Sequence, residues 1–156
     1  MGDGRSRELD RIANDSSVLV LGPRSHPVSD TIFSRFLVGE SGPRDVLFVT
    51  FEGSPSDRIE VCNSADGWEG GEISIVKIGR KNRESATSSE TTTGPGGGSI
   101  TVRHVAKPSD LSKLGIVISR LLSELETTPR EPIFCFDSLP ALHAHTGTKT
   151  LFRFLK

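Results

Sequence analysis

The stretch Asp45-Val-Leu-Phe-Val-Thr-Phe51-Glu52-Gly53-Ser54-Pro55-Ser56-Asp57 decides the fold. Its first part is a continuous apolar run, without the alternation of a strand that keeps one face wet. Such runs suit strands buried on both faces of a parallel sheet. The second part changes character at once. Ser54, Pro55 and Asp57 read as an N-cap, a proline at the first helical position and an acid in the first turn. The helix they open runs through Ile59 and Val61. A buried strand leading directly into a capped helix is the opening of a βαβ unit.

The same alternation extends in both directions. Upstream, Val18-Leu-Val-Leu21 is another short apolar run, ended by Gly22-Pro23. Val28, Ile32, Phe33, Phe36 and Leu37 then share one helix face. Downstream, Ile73-Ser-Ile-Val-Lys-Ile78 alternates in part, which places it nearer a sheet edge. Ile100-Thr-Val-Arg-His-Val105 alternates clearly, with Ile100, Val102 and His104 on one face. Ser109 to Glu126 is the strongest helix, with Leu111, Leu114, Ile118, Leu121, Leu122 and Leu125 at three- and four-residue steps. Ser109 or Asp110 can cap it, and Thr127-Thr-Pro129 ends it. Pro132-Ile-Phe-Cys-Phe-Asp137 is a fifth strand, again continuously apolar. Strands and helices joined by short turns predict an α/β fold of right-handed crossovers with a mostly parallel sheet.

Two segments lie outside this rhythm. Residues 1–16 are polar apart from Leu9, Ile12 and Ala13, and read equally as a short leading helix or a frayed end. Residues 82–99 are low in complexity, and Ala86 is their only apolar side chain. They cannot repay ordering entropy by burial, so the expectation is a mobile loop. Its triple glycine has no phosphate-binding spacing. The domain is therefore 17–156.

Composition sets the remaining bounds. With 43 Leu, Ile, Val and Phe among 156 residues, the chain can build one core and is not a disordered sequence. The net charge of −1 gives no footprint for a nucleic-acid backbone or an anionic membrane. No apolar run approaches the length of a membrane span, and the polar start is not followed by a secretory core. Cys62 and Cys135 stand 73 positions apart and make no CxxC, so a reduced, cytoplasmic protein is expected.

In a parallel α/β sheet, ligands sit beyond the carboxyl ends of the strands. That directs attention to the positions after Leu21, Thr50 and Phe136. Asp137-Ser138 has the form of a Walker B end, whose acid holds magnesium directly or through water. The bland alternative is an acid that caps the next turn. Glu52 stands where a residue that polarises an attacking water would stand. Its alternative is a loop acid stabilised by the next helix's dipole.

Together these segments carry a resemblance. Thr50-Phe-Glu-Gly-Ser-Pro55 resembles the catalytic-Glu segment of the KaiC branch of the RecA superfamily, usually Phe-Glu-Glu-Ser-Pro. Phe136-Asp-Ser-Leu-Pro-Ala-Leu142 resembles that branch's Walker B, typically Asp-Ser-Leu-Thr-Ala-Leu. The likeness covers about Val18 to Lys156. More narrowly, it is to a group of archaeal, mostly haloarchaeal, KaiC/RecA-like proteins, although a salt-adapted chain is usually far more acidic. The resemblance implies a three-layer RecA/KaiC-like sandwich. It also implies ATP and Mg as ligands, Asp137 and Ser138 on the metal side, and Glu52 as the catalytic base if hydrolysis is retained.

The first strand's exit tests that implication. A P-loop needs Gly-x4-Gly-Lys-Ser/Thr, so that backbone N–H groups and one lysine surround the phosphates. Gly22 starts the motif and Ser29 falls at the hydroxyl position. Pro27 and Val28 replace the Gly-Lys pair. Pro27 removes a donor and Val28 removes the phosphate cation. Arg24 could supply charge from within the loop. The family's second Glu is Gly53. The expectation is an inherited architecture with eroded nucleotide chemistry: a regulatory or protein-interaction module that needs no cofactor. The alternative is a divergent Mg-dependent ATPase using Glu52, Asp137 and Arg24.

Family members continue past the Walker B strand, whereas this chain stops at Leu151-Phe-Arg-Phe-Leu155-Lys156, inside what reads as the next helix. The expectation is a C-terminally truncated domain whose apolar end is covered by a protein partner or by another copy of the chain. Weaker candidates remain. His143 and His145 read as a loop pair before a metal site. His104 reads as half-buried, Cys135 as an inert core thiol, Cys62 as exposed after its helix, and Trp68 as folded back on the sheet. Ser25-His26 has no placed acid for a triad.

Overall fold

A computed structural model describes residues 27–39, 41–79, 89–137 and 139–156. The sequence segments 1–16 and Val18 to Leu21, the turn Gly22 to His26, residues 82–88 and Ser138 lie outside the described residues. Pro27–Leu37 is the first helix, α1. A two-stranded ribbon, β1 (Val38–Gly39) and β2 (Gly42–Pro43), follows it. The opening stretch then supplies β3 (Asp45–Thr50) and α2 (Pro55–Asn63), as its residues predict.

All six residues of β3 are buried, as a run without alternation requires. Successive side chains point to opposite faces. Val46 and Phe48 enter one core with Leu37 of α1, Cys62 of α2, Ala65 and Trp68. Leu47 and Val49 enter a second core with Leu114, Ile118, Leu121 and Leu125 of α3 (Leu111–Leu125). Helices thus cover both faces. Asp110 caps α3 by accepting the Lys113 N–H at 3.1 Å. Trp68 is folded back into the first core, and its Nε1–H donates to Arg44 O at 2.7 Å.

The sheet contains β4 (Ile73–Ile78), β5 (Ser89–Thr93), β6 (Ser99–Val105) and β7 (Pro132–Phe136) besides β3. Its order is β5-β6-β4-β3-β7, and only β5 is antiparallel to its neighbour. The α/β class with a mostly parallel sheet is therefore present. Three expectations are corrected. β4 is central, between β3 and β6, because its one charge, Lys77, sits at the carboxyl end where a polar head can leave the sheet, and its other polar residue, Ser74, is small enough to be buried. Part of the segment read as a loop, Ser89 to Thr93, is β5, which pairs Ser89↔Arg103 through Thr93↔Ser99. An outer antiparallel strand can be polar and still satisfy its ladder. β7, expected to be buried on both faces, is at the end of the described sheet, and Phe134 is 43% exposed.

The chain finishes in α4 (Leu139–Thr146) and α5 (Thr148–Phe154), so the last apolar run is helical as expected. Phe154 packs on the α3 core beside Gly115. Among the described residues, no helix is long and apolar enough to cross a membrane.

Candidate functional site

Chain order locates the site. From β3 the chain steps to β4 and then β6 on one side, and returns to the other side of β3 with β7. The reversal lies between β3 and β7, and ligands of open α/β sheets bind beyond the carboxyl ends at such a point. The register Val49↔Phe136 brings the next residues, Phe51, Glu52 and Asp137, to that place. Glu52 and Asp137, the two acids singled out in the sequence, are therefore neighbours at one end of adjacent strands.

Asp137 is fixed from three sides. Its own N–H donates to Val49 O at 3.0 Å, prolonging the ladder by one step. Its Oδ1 accepts the Phe51 N–H at 3.2 Å, so it holds the exit of β3. Its Oδ2 lies 3.3 Å from Nη2 of Arg58 on α2. The opposite end of the guanidinium, Nη1, lies 3.9 Å from Asp30 Oδ1 on α1. Arg58 also stands 6.0 Å from the centroid of the Phe48 ring, within cation–π reach. One guanidinium thus connects α1, α2 and β7.

The cap of α2 aims Arg58. Ser54 Oγ accepts the Asp57 N–H at 3.1 Å, and Asp57 Oδ2 accepts the Ser54 N–H at 3.0 Å, a reciprocal capping box. The Ser54 backbone N–H first, and the Ser54 side chain second, hold the Asp57 carboxyl below its ordinary value. Gly53, just before the cap, is approached so closely that a Cβ there would stand 2.9 Å from Arg58 Nη2 and 3.1 Å from Nε. Gly53 thus leaves the guanidinium room beside Asp137.

Lys77, from β4, closes the floor. Its ammonium donates to Phe51 O, and to Gly53 O at 2.9 Å. Burial pushes it below the usual lysine range; Asp137 opposes this shift and Arg58 adds to it. Glu52 is exposed above this floor, on the same loop. The carboxyl end of the sheet is therefore a set of acids, Asp30, Glu52, Asp57 and Asp137, threaded by two cations.

Of the other candidates, Ser29 lies in the first turn of α1, after Pro27 and Val28, whereas Gly22, Arg24 and Ser138 lie outside the described residues. Magnesium does not fit the donors in view. Among the described residues no three His, Cys, Asp or Glu side chains converge, and Asp137 already has a guanidinium against it. His143 and His145 are on α4, not in an extended loop. Two residues apart on a helix they cannot share a face, and His143 Nε2 is paired with Thr148 Oγ1 at 2.7 Å. His104 is half-buried on β6. Cys62, expected to be exposed, is fully buried inside α2. Its thiol and that of half-buried Cys135 are pushed up to about 12 by burial, which leaves both unreactive.

Sequence reasoning missed Arg58, Lys77 and Asp30. Lys77 carried a signal, as the one charge in an apolar strand. Arg58 carried a fainter one, since a glycine before a strong cap leaves room for a side chain to fold back. Neither the curated proteins nor the solved structures include a match to this chain. A family model does match it, over residues 16–156, so both acids, both cations and every described strand fall inside the match. The chain belongs to this family, DUF7504, a family of unknown function.

Proposed function

We propose that the chain is a KaiC-like, RecA-fold regulatory or protein-interaction module with a degenerate Walker A and no ATPase activity. The carrying observation is Pro27-Val28 in place of Gly-Lys, beside a retained acid, Asp137, that an internal cation already neutralises. Further support comes from a mostly parallel sheet with helices on both faces and from the two acids at its reversal point. The work of such a module would be done by its surface, with a protein or a second copy of the chain as partner. Isothermal titration of the full chain with ATP and magnesium tests the reading. No heat is expected, and micromolar binding would refute it.

A second reading has one observation in its favour: Glu52 and Asp137 emerge from adjacent strands at the same end of the sheet. A divergent Mg-dependent ATPase would use Glu52 to orient water, Asp137 on the metal side and Arg24 as substitute cation. It requires turnover above background that Glu52→Gln abolishes.

A further inference from the structure

We propose that Arg58 permanently occupies the place of a divalent metal ion at Asp137, so that the site carries its counter-charge covalently and binds no magnesium. This rests on reading Asp137 as the metal-side carboxylate of the module proposed above. Both oxygens of that carboxylate face protein groups: the Phe51 amide on Oδ1, and the Arg58 guanidinium 3.3 Å from Oδ2. The guanidinium is not a surface group that swings in. Its side chain is 24% exposed, it reaches Asp30 at its other end, and it stands at the Phe48 ring.

The loop is shaped for this cation. A side chain at position 53 would collide with the guanidinium, and the residue there is glycine. Lys77 stands beside it with a second positive charge and ties down the Phe51 and Gly53 carbonyls, two oxygens that a metal could otherwise recruit. Magnesium demands six oxygens at close range in near-octahedral array. Several of these can be waters, but the inner carboxylate, Asp137, has a guanidinium 3.3 Å from Oδ2, and Lys77 sets a second positive charge beside it. The bare position 53 and the guanidinium of Arg58 therefore fit each other. The pair makes Asp137 a self-neutralised position, and the cap on α2 keeps the two in register.

Paramagnetic resonance of free Mn2+, titrated into the full chain without nucleotide, tests this. The wild type is expected to leave the Mn2+ signal undiminished through the low millimolar range. Arg58→Gln is expected to tighten Mn2+ binding by about tenfold or more, a modest return for removing one positive charge at contact distance. Adding Asp137→Asn to that variant should abolish the gain. Should Arg58→Gln fail to fold by circular dichroism, Gly53→Ala decides instead, because it displaces the guanidinium without deleting it. Asp137-dependent Mn2+ binding by the wild type overturns the proposal. So does a folded Arg58→Gln, or Gly53→Ala in its stead, that gains nothing. ATP titration in EDTA reports on the module reading alone, so the two ideas can fail separately.

Discussion

The Phe51 amide donates to Asp137 Oδ1 across 3.2 Å, so the residue that follows β7 also holds the exit of β3, 86 positions away in sequence. Local and long-range structure meet at this bond. The loop Phe51 to Gly53 is tied from below by Lys77 and from the side by Asp137, before the α2 cap begins.

Removing the charge of Asp137 should therefore be felt in the fold. Asp137→Asn can keep the acceptor for the Phe51 N–H, but it leaves the half-buried Arg58 guanidinium with only Asp30. The expected loss is about 1–2 kcal/mol in urea unfolding, and more for Asp137→Ala, which also orphans the Phe51 amide. If Asp137→Asn matched the wild type, the guanidinium would not depend on this carboxylate.

At the opposite end of the sheet, Asp45 is fully buried. Its Oδ1 accepts the Glu72 N–H at 2.8 Å, and its Oδ2 accepts the Thr128 hydroxyl. Asp45→Ala leaves the Glu72 N–H without its acceptor, whereas the Thr128 hydroxyl can turn to Leu125 O at 2.8 Å, and about 1–3 kcal/mol of stability should be lost. Asp45→Asn can still accept from Glu72 and donate to Thr128, so it should recover part of that loss. Chemical denaturation of the two variants side by side reads the difference.

The α2 cap is expected to be sensitive to acid. Folding lowers the Asp57 carboxyl from its ordinary value of 3.8, so its stabilisation is full above that value and fades as pH falls through the folded one. The stability gap between wild type and Asp57→Ala should be constant at neutral pH and close only below about pH 4. Ser54→Ala should cost about 1 kcal/mol with a much weaker pH dependence. A gap between wild type and Asp57→Ala that did not narrow in acid would show that the box is not formed.

Both thiols should be silent in the native protein. With Cys62 and Cys135 pushed up to about 12, the thiolate fraction at neutral pH is negligible. Titration with an aromatic disulfide reagent should register essentially no thiol in buffer at pH 8, and both of them in urea. Rapid labelling of Cys62 in the folded chain, read in a Cys135→Ser background, would mean that α2 detaches from the sheet.

The parts of the fold that were legible in the sequence are those decided locally. A continuous apolar run gave β3, a Ser-Pro-x-Asp cap gave α2, and three- and four-residue steps gave α3. The order of strands is decided by non-local pairing, so β4 looked like an edge and is central. Ser89 to Thr93 looked like a loop because an outer antiparallel strand needs a partner more than it needs apolar side chains. The site divides in the same way. Glu52 and Asp137 could be placed because each ends its own strand. Arg58 and Lys77 could not, since only the register of β3, β4 and β7 brings a helix residue and a strand residue to the same two acids.

The strand β5 has a bearing beyond the ladder it completes. A growing β-sheet stops where the next strand has nothing to gain by joining, and an outermost strand with bare amides invites other chains to continue it. Among the described strands, the outer one on this side is Ser89-Glu-Thr-Thr-Thr93, five residues long and without an apolar side chain. It shields the alternating Ile100–Val105 segment, whose β-branched residues would make a better template for cross-chain stacking. At this edge of the described sheet, the hydroxyl-rich segment is therefore the poorer template for a further strand.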